Sequence, residues 1–274
     1  MHASTVRTLL VRGMIAGVLA GLFAFALAYV AGEPSVRDSI ALEETQSAPA
    51  ANEHAGHTAA AAEQEGEEEE EELVSRPVQS TFGLATGVLV YGVALGGIAS
   101  LVFSVCLGRI GRFGPRATAA LIAGAAFTTV YLVPFLKYPA TPPAVGNPDT
   151  IGKRTTLFFL MIVLSVLLAV IAVIAGRRLA PRLGNWNASV VAGAGYVAAV
   201  AVACLVLPAN SDAVRETFPA ALLWEFRLAS LGVQALLWTA FGLIFGAMAE
   251  RVLMPRAARA ASGAEAGLSG SVRP

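Results

Sequence analysis

The sequence predicts an all-α membrane protein, a bundle of about six transmembrane helices with both termini in the cytoplasm. Three observations predict it: an apolar composition, six long apolar runs, and an uneven distribution of charges. Of the 274 residues, 56% are hydrophobic and only 14% are charged, and the mean hydropathy is positive. Soluble domains carry a charge on about a quarter of their residues. Lipid is therefore the expected environment of most of this chain.

Each apolar run is long enough to cross a bilayer. The hydrocarbon core is about 30 Å thick and a helix rises about 1.5 Å per residue, so a crossing needs about 20 apolar residues. None of the runs contains Asp, Glu, Lys, Arg or His, so none carries the cost of a charge in lipid. The runs extend over residues 13–32, 80–107, 117–136, 155–176, 188–207 and 228–249.

The first run also has features of a cleaved signal peptide. Arg7 and Arg12 precede it, and Ala26-Leu27-Ala28 resembles a cleavage site. Signal peptides have an apolar core of about 7 to 15 residues, which is shorter than this run. We therefore prefer a retained transmembrane helix.

The positions of Lys and Arg predict the orientation, because short cytoplasmic loops retain these residues. With six crossings, the face that holds both termini carries twelve of them and the opposite face carries seven. The termini are therefore predicted to be inside. Of the nineteen Asp and Glu residues, all but Glu250 and Glu265 then lie outside. An outer surface of this kind attracts cations.

These boundaries divide the chain into four parts. Residues 1–32 form a cytoplasmic N-terminus and the first transmembrane helix, and residues 33–79 form a long acidic outer loop that contains histidine. Residues 80–250 form a five-helix membrane bundle, and residues 251–274 a disordered cytoplasmic tail. The outer loop is rich in Ala and Glu with few apolar residues, so most of it is predicted to be disordered.

The outer loop contains a candidate metal-binding motif. His54 and His57 lie among carboxylates, and imidazole and carboxylate together are suitable ligands for divalent transition metals. The plainer interpretation is a solvated acidic linker in which two histidines happen to lie close together.

Proline follows the outer end of each odd-numbered run, at Gly32-Glu33-Pro34, Tyr138-Pro139 and Leu207-Pro208. Three helix C-termini are therefore expected outside, where their unpaired carbonyls carry partial negative charge. Together with the nearby carboxylates they would form a vestibule for a cation, and these are Glu33, Asp149, Asp212 and Glu216. Asp149 has an alternative role as the N-cap of the fourth helix.

Glu225 is a further candidate. If the last helix begins near Pro219, Glu225 lies about two turns in, close to the outer membrane boundary. A carboxylate at that depth is costly in lipid, so we expect its side chain to point into the bundle. The alternative is a structural salt bridge with Lys137 or Arg154.

Small and polar residues inside the runs predict how the helices pack. Glycines recur at four-residue spacing, which lets helix backbones approach closely. They are Gly13, Gly17 and Gly21; Gly83 and Gly87; Gly92 and Gly96; and Gly242 and Gly246. Polar side chains are few, and Gln234 is the one amide within the last run, where it needs a partner or water.

Two outer segments resemble a known family. The stretches LKYPATPPAVGNPDTI (residues 136–151) and FPAALLWEFRLASLG (residues 218–232) resemble the signature segments of CbtA, a family of predicted cobalt-transporter subunits. Gly32-Glu33-Pro34, Glu43-Glu44 and the acidic loop with its histidines do so too. The resemblance covers about residues 6–251.

This resemblance implies uptake of Co²⁺ through the cell membrane for cobalamin synthesis, with Co²⁺ as transported substrate and no tightly bound cofactor. It also implies a partner, a one-helix CbtB-like subunit that carries histidine. The acidic loop here has fewer histidines than the family leads one to expect, and carboxylates alone discriminate poorly among divalent ions. The candidate metal ligands are Glu33, Glu43, His54, His57, Asp149, Asp212 and Glu225.

Two classes of function follow from the sequence. One is a permease that moves a divalent cation inward, and the other is a non-transporting scaffold or metal sensor whose acidic loop binds ions or a partner. No set of nucleophile, base and orienting group is visible, and no glycine-rich phosphate loop. We therefore expect neither an enzyme nor ATP hydrolysis by this chain, and no nucleic-acid partner.

Overall fold

Helices make up nearly all of the structure, which is a computed structural model. It describes residues 2–47, 75–143, 145, 150–209, 214 and 218–270, and for 46–47 and 255–270 it describes the backbone only. No strand occurs among these residues, and the predicted all-α fold is confirmed. The helices are α1 (Ala3–Leu27), α2 (Glu33–Ser47), α3 (Arg76–Val78), α4 (Leu84–Cys106), α5 (Pro115–Ala126), α6 (Val133–Lys137), α7 (Ile151–Val206) and α8 (Ala220–Gly270).

Three short π-helical turns join some of these helices end to end. They are Ala28–Gly32, Gln79–Gly83 and Phe127–Leu132. Within the described ranges, five helical stretches are then long and apolar enough to cross a membrane: Ala3–Thr45, Arg76–Cys106, Pro115–Lys137, Ile151–Val206 and Ala220–Met254.

The longest helix, α7, folds back on itself at Gly184. Gly184 has a left-handed φ of 74°, and the Ser165 and Tyr196 hydroxyls lie 2.9 Å apart. In a straight helix two residues this far apart in sequence would be separated by about 46 Å. The two arms of α7 are therefore antiparallel, and they correspond to the fourth and fifth predicted runs. The number of membrane crossings and their orientation stay predictions.

The predicted end of the first helix, at Gly32 before Pro34, is wrong. The N–H of Glu33 donates to the carbonyl of Ala28, five residues back, and the chain continues into α2. Proline lacks an N–H and its ring clashes in a regular helix, and the wider π turn just before it relieves that conflict. The π turn Phe127–Leu132 precedes Pro134 in the same way. The first fifteen residues of the predicted disordered loop are thus helical.

The other proline-marked ends are as expected, whereas the tail is not. Helix α6 ends at Lys137 before Pro139, and α7 ends at Val206 before Pro208. The last helix begins at Ala220, directly after Pro219, as expected. It extends to Gly270, so the tail predicted to be disordered is helical over most of its length. Residues 256–266 are rich in Ala and Arg, which have high helix propensity.

Helices α1, α4, α5 and α8 share one core. Phe245 of α8 packs edge-on against Phe103 of α4, with ring centroids 5.1 Å apart, and stacks on Phe241 at 5.3 Å. Buried alanines of α1 and α5 complete this core. Helices α1 and α8 are antiparallel. Arg12 near the start of α1 contacts Met248, whereas Leu27 at the end of α1 lies beside Gly232, which is earlier in α8.

Glycines bring α1 and α4 into backbone contact, as their spacing predicted. A Cβ atom built on Gly92 would lie 2.5 Å from the carbonyl oxygen of Gly17, and one built on Gly13 would lie 2.6 Å from that of Gly96. Gly242 and Gly246 face α5 at similarly short range. In the described part of the chain, a Cβ built on Gly87 has no neighbour within 4 Å, and one built on Gly83 has only the carbonyl oxygen of Val78 in the same helical stretch, so the packing prediction fails for them.

The arms of α7 pack against α6 and the π turn before it. Met161 and Ala203 from the two arms are buried there with Val133 and Tyr138. The Tyr138 hydroxyl donates to the carbonyl of Pro208 at 2.8 Å. Burial raises the pKa of Tyr138 above its ordinary value, so this hydroxyl stays a neutral donor.

Candidate functional site

The structure brings few of the predicted metal ligands together. His54, His57, Asp149 and Asp212 lie outside the described residues, whereas Glu33, Glu43 and Glu225 lie within them. In the part of the chain that the structure describes, no three His, Cys, Asp or Glu residues are grouped closely enough to hold a metal ion.

Glu33 is engaged in ion pairs. Its side chain is only 7% exposed, and its Oε1 lies 3.2 Å from Nη2 of Arg76 and 4.0 Å from Nε of Arg37. Arg76 also donates to the side chain of Gln79 at 3.0 Å. Glu33 is the first residue of α2 and Arg76 is the first residue of α3, so this ion pair holds the starts of the two helices together. A carboxylate paired in this way attracts a free cation less strongly.

Two buried serines lie further along α2. Ser35 and Ser39 are 3% and 0% exposed, and the Ser39 hydroxyl donates to the carbonyl of Ser35 at 2.7 Å. Helix α2 packs against α8. The start of α2 is therefore part of the bundle rather than of a solvated loop. Glu43, one turn past Ser39, is exposed.

The side chain of Glu225 does not point into the bundle, and the expectation from the sequence is wrong on this point. It is exposed, and among the described residues it forms no salt bridge, including none with Lys137 or Arg154. The reason is helical geometry: Leu223 is buried, and a residue two positions further is rotated by about 200° onto the other side.

Arg227 has a structural role at this end of α8. Its Nε donates to the carbonyl of Ala140 at 3.3 Å, and its guanidinium lies 6.0 Å from the centre of the Trp224 ring. These contacts connect the start of α8 to the segment that follows α6. That segment is part of the first stretch that resembles CbtA, and Arg227 is part of the second.

Neutral polar groups lie between α4, α8 and the π turn Phe127–Leu132. The Tyr91 hydroxyl lies beside the Gln234 side chain, and the Tyr131 hydroxyl lies near Ser230 without reaching hydrogen-bond geometry. Gln234 Oε1 and the Tyr131 hydroxyl are buried with no hydrogen-bond partner in the described chain. A buried polar atom without a partner costs about 1–3 kcal/mol. This cluster therefore favours any water or cation that reaches it.

A cavity of about 330 Å³ opens beside this cluster. Tyr131, Phe135 and Phe158 form aromatic walls, while Tyr138 and Arg154 add polar groups. Tyr131 thus borders both the cavity and the polar cluster. No described Asp or Glu lines the cavity, and because Asp149 and Asp212 lie outside the described residues, the predicted acidic vestibule stays a prediction.

The comparison with protein families decides the family of the chain. A family model described as "Probable cobalt transporter subunit (CbtA)" matches residues 6–250. The chain belongs to the CbtA family. The resemblance to CbtA seen in the sequence is thereby confirmed, and the protein is a multi-pass membrane protein of a cobalt transporter family. No curated protein and no solved structure matches the chain.

Sequence reasoning missed several residues of this region. It did not single out Tyr131 or Ser230, although Ser230 precedes Gln234 by four residues and therefore shares its face of α8. That spacing was a visible signal. The roles of Arg76 and Tyr138 were not visible, because their partners Glu33 and Pro208 are distant in sequence.

Proposed function

We propose that this CbtA-family chain is the subunit through which Co²⁺ crosses the cell membrane inward, for use in cobalamin synthesis. The family match over residues 6–250 carries the proposal. Co²⁺ is the transported substrate, and the chain is neither an enzyme nor the holder of a resident cofactor. Its partner is a one-helix CbtB-like subunit that supplies histidine.

Capture of the ion takes place on the outer side. The acidic segment of residues 33–79 raises the local concentration of divalent cations, within the roughly 8 Å over which charge acts at physiological salt. Glu43, His54 and His57 are its candidate ligands, with Asp149, Asp212 and Glu225 in the other outer segments. Glu33 joins them only when its pair with Arg76 opens.

Passage then follows the neutral polar cluster. The proposed route runs from the cavity beside Tyr131 to Gln234 and Tyr91. Neutral oxygen ligands bind a cation weakly enough for it to leave, which conduction requires. A route between α1 and α4 is unfavourable, because Gly17 and Gly92 bring their backbones into contact.

Two observations favour the scaffold or sensor alternative. The described residues hold no metal-ligand cluster, and the core around Phe103, Phe241 and Phe245 is filled by side chains. In that case the bundle anchors the acidic segment and no ion crosses. The two functions differ in a single measurable quantity, the entry of metal into sealed vesicles.

The test is uptake of radioactive Co²⁺ into vesicles that contain this chain, alone and with a CbtB-like subunit. We expect saturable uptake, with Ni²⁺, Zn²⁺ and Mg²⁺ as competitors to define the selectivity. No uptake above that of empty vesicles in either case would exclude the transporter and leave the scaffold.

A matched pair of variants tests the route. Gln234→Leu removes the buried amide and Thr239→Val removes an exposed hydroxyl from the same helix. Because Gln234 Oε1 has no hydrogen-bond partner in the described chain, replacing the amide removes a buried unpaired atom and should cost little stability. We therefore expect normal amounts of both proteins and reduced uptake by the first only. Equal uptake by both variants would exclude Gln234 from the route.

A further inference from the structure

A basic groove lies at the end of the bundle where α1 begins. It has a volume of about 740 Å³ and runs between the first turns of α1 and the part of α8 around residue 250. Arg7, Arg12 and Arg251 line it. A volume of about 300–1,000 Å³ is typical of sites for small molecules.

The positive charge of this groove is not compensated by the described residues. None of the three arginines forms a salt bridge with a described carboxylate. Glu250, the neighbour of Arg251, is instead paired with Arg116 of α5 at 2.6 Å. The first turn of α1 contains no acidic residue, so the positive end of its helix dipole adds to the same charge.

The guanidinium of Arg12 is held in place by the fold. Its Nη1 donates to the carbonyl of Met248 at 2.9 Å, which fixes α1 against α8. A guanidinium has five N–H donors, so this bond leaves most of them for a ligand. Arg7 and Arg251 are exposed at the rim. Several guanidiniums around one groove match the oxygens of a phosphate group.

The deeper wall of the groove is apolar. Val11 and Ile15 line it and are 48% and 45% exposed, and Met248 faces them from α8. Along α1, Arg7 and Ile15 are separated by about 12 Å. The groove thus changes from basic to apolar in the direction in which α1 enters the membrane. A ligand that matches both parts has an anionic head and a hydrocarbon tail.

We propose that this groove binds an anionic phospholipid. The headgroup phosphate accepts hydrogen bonds from Arg7, Arg12 and Arg251, and an acyl chain lies along Val11 and Ile15. Basic grooves between transmembrane helices at the membrane surface bind anionic headgroups. By bridging α1 and α8 the lipid stabilises the contact that Arg12 makes with Met248. The site depends on the membrane fold and not on the transported ion.

The experiment uses the intact chain purified in a neutral detergent. Native mass spectrometry counts bound lipid during titration with phosphatidylglycerol, with phosphatidylcholine, and with inorganic phosphate. We expect one tightly bound phosphatidylglycerol, a rise in melting temperature with it, and neither effect with the other two. A full rise with inorganic phosphate alone would replace the lipid by a free anion, and equal binding of phosphatidylcholine would remove the charge recognition; either result overturns the proposal.

Variants locate the site. Arg7→Gln with Arg251→Gln removes two rim charges and keeps Arg12, whose bond to Met248 the fold uses. The charge-matched control is Arg109→Gln with Arg177→Gln, two exposed arginines away from the groove. Each guanidinium near a membrane surface contributes roughly fivefold to affinity, so we expect a loss of about 25-fold in the first protein and none in the control. Equal losses in the two proteins, or none in the first, would refute the site.

Discussion

Replacing Gly17 by alanine tests the closest contact between helices in the bundle. A Cβ atom at this position overlaps the carbonyl oxygen of Gly92 and lies 2.8 Å from its carbonyl carbon. Both are backbone atoms, so no side-chain rotation relieves the clash and α1 must move away from α4. The perturbation therefore reports directly on backbone contact.

The magnitude follows from two opposing terms. Overpacking of a well-packed contact costs about 1–3 kcal/mol, and a rigid backbone neighbour places this site at the upper end. Alanine in place of glycine within a helix recovers up to about 1 kcal/mol. We expect Gly17→Ala to lower the free energy of unfolding by about 2 kcal/mol. Gly87→Ala, at a position where no described residue lies within 4 Å of the new Cβ, keeps only the favourable term and should be slightly stabilising.

The assay is equilibrium unfolding of both variants in the same detergent and lipid mixture, followed by helix content. The difference between the two variants matters more than either value, because the change in helix propensity cancels in it. A difference below about 1 kcal/mol would refute the backbone contact between α1 and α4. A destabilised Gly87→Ala would place a neighbour at α4 that the described chain does not contain.

Three further substitutions test named contacts. Glu33→Gln breaks the pair with Arg76, which is partly exposed, so we expect a loss of about 1 kcal/mol and faster tryptic cleavage after Arg37 of α2; unchanged cleavage would show that the pair does not hold α2 to α3. Tyr138→Phe removes one hydrogen bond, worth about 1 kcal/mol in unfolding. Because the pKa of Tyr138 is raised above 10.0, the difference in unfolding free energy between Tyr138→Phe and the unsubstituted protein should persist to pH 10 and shrink above it. A decline of this difference already at pH 8 would contradict the raised pKa. Glu225→Gln should accumulate normally, because Glu225 is exposed and has no described ion pair. Loss of saturable Co²⁺ uptake with normal accumulation would identify Glu225 as an ion ligand. Unchanged uptake would exclude that role.

The sequence predicted features that depend on composition and length. Apolar runs of about 20 residues gave the helices, and Pro139 and Pro208 marked two helix ends correctly. Pro34 did not mark one, because a single π turn beforehand changes which carbonyls need a partner. Whether a helix ends or continues at a proline depends on local hydrogen bonding, which the proline alone does not specify. The same applies to Pro134, which also lies inside a continuous helical stretch.

Orientation of side chains was harder to predict, because it depends on which helices are neighbours. Gly83 and Gly87 repeat at the same spacing as Gly92 and Gly96, yet only the second pair faces glycines of α1. Glu225 was placed at the correct turn of the last helix but on the wrong face, since the burial of Leu223 sets that face. The spacing of residues along one helix sets which of them share a face, and contacts with other helices decide which face is buried.

The proposed transporter separates capture of the ion from its passage, and this separation follows from the cost of charge in lipid. Carboxylates and imidazoles bind a divalent ion strongly, and all the candidate ligands of this kind lie outside the predicted apolar runs. Between the helices, Gln234 and the partly exposed Tyr91 offer neutral oxygens, which cost less to bury than charged ligands and release an ion more readily. Changes in the acidic segment should therefore alter the concentration of Co²⁺ at which uptake saturates, and changes at Gln234 should alter the maximal rate. The two effects are measurable in one uptake curve. A Gln234 variant that changes only the half-saturating concentration would place the selective binding step inside the membrane and contradict this division.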